Sequence, residues 1–252
     1  MAAELRTAGR TVDVEVFDET RMPSARSPLL RLSDPLMIRA ARILTAAGVD
    51  YRGPGPVALA RCFDKWSAYR TVAADGVDCP ETRAADDAES LRRPIVLKPR
   101  HGSDSLGLRI LRHETIPTRF RNDRMLAQEQ VLGSELTVGV LDGAAGMPLR
   151  LILPAGVPYT FLRKYLLRPR REVLSESPLA GRVIETAAHV ASILGVDWAA
   201  RVDFILERVT QRLFFLECDA APLVGPASAF TQSLTAAGME RSMQLARLLG
   251  ET

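Results

Sequence analysis

Two segments near the C-terminal end of the sequence, ARVDFIL at residues 200–206 and LFFLECD at residues 213–219, decide the fold that we expect for the chain. Each segment has the length and the apolar content of a β-strand. The connection between them, residues 207–212, is short and mostly polar. The two segments are therefore predicted to pair as a β-hairpin.

Three carboxylates interrupt these apolar strands. Glu217 and Asp219 are two residues apart, so their side chains point to the same face of the strand. Asp203 can reach that face from the partner strand. Three carboxylates on one face repel each other unless a cation lies between them, and an all-oxygen set suits Mg²⁺. The hairpin alone leaves a second interpretation open, a solvated face on which the carboxylates pair with arginines such as Arg201.

Composition places the chain among ordinary globular proteins. It has 252 residues, of which 47% are hydrophobic and 25% charged, enough for one large or two to three small domains. There is no apolar run near 18 residues, no signal-peptide pattern and no metal-binding cysteine spacing, so we expect a cytoplasmic protein without a membrane partner. The net charge of +3 is spread along the chain, and we expect no nucleic-acid partner.

The regular elements expected elsewhere follow from apolar spacing and from glycine and proline. Alternating valines predict a strand over residues 11–17, and helical spacing predicts helices over residues 36–47 and 179–194. A further helical region at residues 57–75 is expected to break near residue 64, and one at residues 230–249 to break at a glycine.

Lysine is rare in this sequence. Only Lys65, Lys98 and Lys164 accompany 30 arginines, so these positions are expected to need a compact charge on a flexible stem, unless their occurrence is chance. Lys98 precedes RHGSDS at residues 100–105, a turn between two β-segments. Backbone N–H groups and hydroxyls in such a turn can hold phosphates, although the spacing is not that of a P-loop and an ordinary surface hairpin is the alternative.

Eight segments, in chain order, resemble motifs of the ATP-grasp ligases, most closely those of the D-alanine–D-alanine ligase family. The resemblance spans roughly residue 34 to the C-terminus. The pairs are VDYRGPG at 49–55 with GIPYTGSG, FDKW at 63–66 with MDKW, GVDCPET at 76–82 with GLPVPPT, VLKPRHGSDSLGL at 96–108 with KPxxxGSSxG, EQVLGSELTVGVL at 129–141 with EEYIEGRELTVGVL, YTFLRKY at 159–165 with YDYEAKY, ARVDFIL at 200–206 with ARVDFxL, and LECDAAP at 216–222 with LEINTxP.

This resemblance implies the fold class and the domain organisation. The class would be α/β (α+β), with an ATP-grasp fold in which two α+β subdomains clamp ATP. The implied units are a shortened N-terminal α/β domain at residues 1–64, a central ATP-grasp subdomain at 65–134 and a C-terminal metal-binding subdomain at 135–252.

The resemblance also implies the site residues. The implied ATP-binding residues are Lys65, Lys98, Ser103, Ser105, Gln128, Glu129, Val131, Glu135 and Lys164. The implied ligands of Mg²⁺, as one ion or two and replaceable by Mn²⁺, are Asp203, Glu217 and Asp219. Three residues would take part in catalysis: Arg201 at the developing oxyanion, Lys164 at the γ-phosphate and Ser228 at the acceptor's carboxylate.

The implied function is an ATP- and Mg²⁺-dependent carboxylate–amine ligase that joins amino acids by a peptide (amide) bond through an acyl phosphate. Its partners would be small amino-acid or peptide substrates, and a homodimer is possible for such a family. Tyr69 stands where the family has a second lysine, and Asp219 where it has asparagine. Asp104 and Leu223 also depart from the pattern, in segments expected to meet substrate, so we do not expect the cell-wall D-alanine–D-alanine enzyme.

Two alternatives stay open on the sequence. One is a ligase that adds an amino acid to a protein or carrier-protein acceptor, for which the basic residues 168–171 would suit an acidic acceptor. The other is a non-catalytic ATP-binding or scaffold protein, to which the short N-terminal segment points.

Overall fold

The computed structural model of the chain shows a mixed α+β architecture built on two antiparallel sheets, which confirms the expected fold class. The structure describes residues 1–92, 94–102, 107–152, 170–175 and 177–251. The α-helices in this part of the chain are α1 (Ala2–Thr7), α2 (Asp34–Ala46), α3 (Pro56–Phe63), α4 (Lys65–Ala74), α5 (Pro178–Leu194), α6 (Ala229–Ala236) and α7 (Arg241–Leu249). The strands are β1 (Thr82–Ala84), β2 (Ile95–Pro99), β3 (Arg109–Leu111), β4 (Met125–Glu129), β5 (Gly133–Leu141), β6 (Ala144–Ala145), β7 (Leu149–Ile152), β8 (Arg170–Val173), β9 (Ala199–Glu207) and β10 (Leu213–Asp219).

The smaller sheet has the strand order β1-β4-β2-β3. Its inward-facing residues, among them Ile95, Leu97 and Ala127, are fully buried and pack against Leu91 and Ile116 in a core of their own. β2 and β3 pair antiparallel, as the sequence predicts for the two β-segments on either side of residues 100–105.

The larger sheet has the order β10-β9-β5-β7-β8, with β6 pairing on β5. β9 and β10 form the predicted antiparallel hairpin. Alternate residues of β9, Val202, Phe204 and Leu206, are buried on the core face, which leaves the residues between them on the opposite face. The hairpin therefore has one apolar and one charged face.

The helices α2 to α5 cover the apolar face of the larger sheet and share one core with it. Helix α2 buries Met37, Ala40, Ala41 and Leu44, which recur at helical spacing, and the chain leaves it through Gly48 at φ +67. The predicted break near residue 64 separates α3 from α4. The strand predicted over residues 11–17 does not form.

Among the described residues, no helix combines the length and the apolar character needed to cross a membrane. The domain limits expected from the sequence stay a prediction.

Close packing of α6 on β5 gives a stability test at two glycines. A Cβ on Gly139 would lie 2.6 Å from the carbonyl oxygen of Phe230, whereas a Cβ on Gly181, in α5, would meet nothing within 4 Å. Gly139→Ala should lower the free energy of unfolding by about 1–3 kcal/mol through overpacking. Gly181→Ala should raise it by up to about 1 kcal/mol through helix propensity. Denaturant unfolding followed by circular dichroism measures both, and equal effects of the two variants would contradict the packing described.

Candidate functional site

Arg201 lies among the three carboxylates of the hairpin. Its Nε is 3.1 Å from both carboxylate oxygens of Asp203. Its Nη2 is 3.4 Å from Glu217 Oε1, and its Nη1 is 3.4 Å from Asp219 Oδ2. The strand register causes this convergence, because Asp203 pairs with Glu217 and Arg201 with Asp219 across β9 and β10.

The electrostatics of this cluster are dominated by the carboxylates. Burial acts to lower the pKa of the Arg201 guanidinium, but the charges of Asp203, Asp219 and Glu217 outweigh it and raise that pKa well above its usual value. The one guanidinium balances only one of the three negative charges, so the cluster keeps an excess of negative charge that a divalent cation could neutralise.

The residues of the cluster fit Mg²⁺ in chemistry, since hard oxygen ligands are what this ion prefers. Within the described ranges, however, no group of three or more His, Cys, Asp or Glu side chains is already arranged to hold a metal ion. The guanidinium of Arg201 occupies the centre of the cluster as the stand-in cation. A metal ion could bind here through lone pairs of the carboxylates that Arg201 leaves unused, or in place of contacts with Arg201.

Thr137 fixes the orientation of Asp203. It lies opposite Asp203 in the pairing of β5 with β9, and its Oγ1 donates a hydrogen bond of 2.5 Å to Asp203 Oδ1. The side chain of Thr137 is buried, so this hydrogen bond is shielded from water. The sequence analysis missed this contact, because strand alternation alone does not show which residue of a third strand lies beside a given carboxylate.

Lys98 is linked to the hairpin through Tyr69. Its Nζ donates hydrogen bonds of 2.5 Å to the Tyr69 hydroxyl and 2.7 Å to Gln128 Oε1. The Tyr69 hydroxyl in turn donates to the carbonyl of Leu216, at 2.6 Å, next to Glu217. Burial, assisted by the positive charge of Lys65, lowers the pKa of Lys98 to about 7. Tyr69, noted in the sequence only as a missing lysine, thus positions the lysine that remains.

Asp64 ties helix α4 to the start of the turn between β2 and β3. Its side chain accepts hydrogen bonds from two backbone N–H groups in the first turn of α4, and its carboxylate is bound in bidentate fashion by Arg100, at 2.8 and 2.6 Å. The backbone N–H of Lys65 donates to the carbonyl of Arg100, and its Nζ donates to the carbonyl of Gly102. Both predicted lysines in the described residues are therefore held by specific contacts.

A cavity of about 100 Å³ lies between the helices and the hairpin. Helices α2 and α3 form one wall, and the end of β10 with the loop after it forms the other. The charged residues that line the cavity are Asp34, Lys65, Arg201, Glu217 and Asp219. The structure thus brings three predicted residues of the hairpin to the cavity: Arg201, Glu217 and Asp219. One predicted phosphate-binding lysine, Lys65, lines the same cavity.

Other predicted site residues lie elsewhere. Glu129 accepts a hydrogen bond of 2.9 Å from the backbone N–H of Arg92, and Ser228 caps helix α6 by accepting from the N–H of Thr231. The positions implied for the adenine and the ribose lie between the end of β4 and the start of β5, and none of them lines the cavity. They are Gln128, Glu129, Val131 and Glu135. Ser103, Ser105 and Lys164 lie outside the described residues.

The Asp64–Arg100 contact gives a pH-dependent stability test. Burial acts to raise the pKa of Asp64, but hydrogen bonds from Arg100 and from the backbone of α4 outweigh it and lower this pKa below its usual value. The contact therefore stabilises the fold fully above about pH 4, the ordinary aspartate pKa, and progressively less as the pH falls through the lowered value. Asp64→Asn keeps a helix-capping side chain, so it should cost about 1 kcal/mol at pH 7 and less at pH 3. Urea unfolding at both pH values measures the difference in the free energy of unfolding between the parent protein and the variant. A difference as large at pH 3 as at pH 7 would contradict the stabilising role of the Asp64 carboxylate.

Comparison with known proteins agrees with this arrangement. The family description that matches residues 62–217 is the ATP-grasp domain. The D-alanine–D-alanine ligase of Desulforudis audaxviator is 30% identical over 224 residues, covering 78% of this chain and 71% of that protein. The enzyme of the same name from Syntrophotalea carbinolica is 28% identical over 223 residues, covering 82% and 72%.

A solved structure of the D-alanine–D-alanine ligase from Coxiella burnetii superposes with a TM-score of 0.74 at 17% identity, covering 91% of this chain and 69% of that one, and this likeness supports the fold. Together with the match to the ATP-grasp domain, the relatives show the family. The chain belongs to the ATP-grasp ligases, in the D-alanine–D-alanine ligase family of ADP-forming carbon–nitrogen ligases.

Proposed function

We propose that the chain is an ATP- and Mg²⁺-dependent carboxylate–amine ligase that joins amino acids through an acyl phosphate. The observation that carries this proposal is the pairing of opposite charges around one cavity. Glu217 and Asp219 of the acidic cluster line one wall, and Lys65, from α4, lines the same cavity. A phosphoryl-transfer site needs such a combination, cations for the phosphates and carboxylates for the metal ion.

The acidic cluster would hold the metal through Asp203, Glu217 and Asp219. When bound, Mg²⁺ supplies charge neutralisation at the transferring phosphoryl group. Mn²⁺ is expected to replace it, because it shares the preference for oxygen ligands. The hydrogen bond from Thr137 orients the carboxylate of Asp203 toward the cluster. In this orientation the carboxylate can bind either the guanidinium or a metal ion.

Arg201 would gain its catalytic role from this exchange. Its N–H groups contact the carboxylates in the present arrangement. If the carboxylates held a metal ion, N–H groups of Arg201 would become available to donate to the oxyanion that develops when an amine attacks the activated carbonyl. The donor carboxylate first attacks the γ-phosphorus and ADP leaves. The amine then attacks the acyl carbon and phosphate leaves.

Lys65 and Lys98 would bind the phosphates of ATP. Lys98 is held by Tyr69 and Gln128, so its ammonium group is oriented before ATP arrives. A positioned charge loses less conformational freedom on binding than a mobile one.

We propose free amino acids or peptides as substrates, other than a pair of D-alanines. The support is that the departures at Asp104 and Leu223 fall in segments where the family is expected to meet substrate. Cytoplasmic location is in keeping with the free cysteines Cys62 and Cys79. The homodimer stays a prediction.

The proposed reaction predicts ADP release that requires two amino-acid substrates. We expect at least one pair among free D- and L-amino acids to release ADP and to yield a product whose mass is the sum of the pair minus water. Glu217→Gln should lower the rate by about 10² or more by removing a metal ligand. Glu185→Gln, on the exposed face of α5, is the matched control and should act like the parent protein. ATP binding without ADP release for any amino acid or peptide would contradict the proposal and favour a non-catalytic binding protein.

The lowered pKa of Lys98 predicts proton uptake when ATP binds. With a pKa of about 7, this side chain is mostly neutral at pH 8, and nearby phosphates will raise its pKa and protonate it. Binding of a non-hydrolysable ATP analogue with Mg²⁺ should therefore take up nearly one proton at pH 8 and much less at pH 6. Calorimetric titration in two buffers of different ionisation enthalpy measures the uptake. Lys98→Met should abolish it, and uptake that persists in this variant would refute the assignment.

A further inference from the structure

Two of the three cysteines of the chain lie side by side at the cavity. Cys62 belongs to the end of α3 and Cys218 to β10, so they come from opposite walls. One thiol donates a hydrogen bond to the other, which brings the two side chains into direct contact. Both cysteines are free thiols in the structure. A pair of thiols in contact can be joined by a disulfide with little movement of the backbone.

The two thiols differ in their exposure to solvent. Cys62 is half-buried and packs against the main core, whereas Cys218 belongs to that core and is 4% exposed. A small oxidant that enters the cavity therefore meets Cys62 first. Redox-sensitive pairs have this division between an accessible thiol that reacts with the oxidant and an adjacent thiol that resolves the product.

The third cysteine, Cys79, has a different environment. Its Sγ donates to the carbonyl of Tyr69, at 3.9 Å, and it is not among the described residues that line the cavity. Burial raises the pKa of the Cys79 thiol to about 12, which disfavours the reactive thiolate. Cys79 is therefore a matched control for the pair at the cavity.

We propose that Cys62 and Cys218 are an oxidation site whose disulfide locks the cavity, and the effect of this lock on ligands rests on the proposed function. The oxidant is a hydroperoxide. The Cys62 thiolate attacks a peroxide oxygen, an S–O bond forms, the O–O bond breaks, and the leaving hydroxide takes a proton to become water. The sulfur of Cys218 then attacks the sulfenic acid of Cys62. An S–S bond forms, the S–O bond breaks, and the proton of Cys218 leaves in a second water molecule.

The disulfide would join the helix wall of the cavity to the hairpin wall. The cavity of about 100 Å³ is smaller than typical ligand pockets, which measure about 300–1,000 Å³. The walls must therefore separate when a nucleotide and an amino acid enter, and a covalent link between α3 and β10 opposes that separation. Cys218 also lies between Glu217 and Asp219, so the link restrains the backbone that carries both carboxylates. A small thiol reverses the lock by disulfide exchange.

The experiment compares the reduced and the oxidised full chain. The protein is treated with hydrogen peroxide, catalase removes the excess, and mass spectrometry is applied to the intact chain and to its peptides. We expect the loss of two hydrogen atoms and a linked pair of peptides that contain Cys62 and Cys218. Thermal stabilisation by Mg²⁺ with a non-hydrolysable ATP analogue reports binding. The oxidised protein should bind about tenfold or more weakly, and dithiothreitol should restore the affinity.

Three variants separate this pair from general oxidation. Cys62→Ser removes the accessible thiol, and it should form no link and keep its affinity after peroxide treatment. Cys218→Ala removes the resolving thiol, so a sulfenic acid should accumulate at Cys62, where dimedone traps it. Cys79→Ser is the control and should form the link and lose affinity like the parent protein. Each variant is compared with itself before and after oxidation, so a change in its own stability does not affect the result.

Two results would overturn the inference: no link between Cys62 and Cys218 in the oxidised parent protein, or a link that leaves the affinity for the ATP analogue unchanged. Failure of the proposed function is distinguishable from these results. In that case the reduced protein releases no ADP with any pair of amino acids, although the link forms and weakens binding of the analogue. A reduced protein that does not bind the analogue at all would contradict both the proposed function and the lock.

Discussion

The balance of charge around Arg201 is the constraint on which the site depends. Asp203, Glu217 and Asp219 lie on one face of a single hairpin because strand alternation and register place them there. Without a cation between them, three carboxylates held this close would repel each other. Arg201 supplies that cation from within the same strand, so the hairpin can keep the carboxylates together before any metal ion binds. The opposite face of the hairpin is apolar and joins the main core, which holds the charged face in place.

One polar link connects this hairpin to the elements that carry the lysines, and a second link joins those elements to each other. Tyr69 joins Lys98 on β2 to the backbone of β10, and Asp64 joins the start of α4 to the turn after β2. Both links pass through helix α4 or its cap. The smaller sheet, with its own core, thereby presents its cation toward a cluster of anions on the larger sheet. The lysine that lines the cavity itself is Lys65, from α4, and it faces the wall formed by Glu217 and Asp219, so one cavity can serve both the phosphates and the metal ion of the proposed reaction.

Much of this architecture could be predicted from the sequence, where the signal is local. The hairpin, the break at Asp64 and the buried face of α2 each follow from spacing within one segment. The strand predicted over residues 11–17 does not form. Alternation of valines shows which side chains would share a face, but it does not show that a partner strand is present. Val14 and Val16 are 73% and 94% exposed, so no neighbour covers them. The contacts of Thr137 and Tyr69 could not be predicted, because each depends on which distant segment of the chain lies beside the side chain. Of the two interpretations of the acidic hairpin, the structure shows the pairing of the carboxylates with Arg201, and the metal site stays a prediction.

We expect the acidic cluster to exchange contacts with Arg201 for contacts with a divalent cation when ATP binds. A crystal structure with Mn²⁺ and a non-hydrolysable ATP analogue, with anomalous scattering recorded at the manganese edge, tests it directly. We expect an anomalous peak within bonding distance of carboxylate oxygens of the cluster, with Arg201 displaced from at least one of them. A nucleotide bound with its metal ion elsewhere, and Arg201 still contacting Asp203, Glu217 and Asp219, would contradict it.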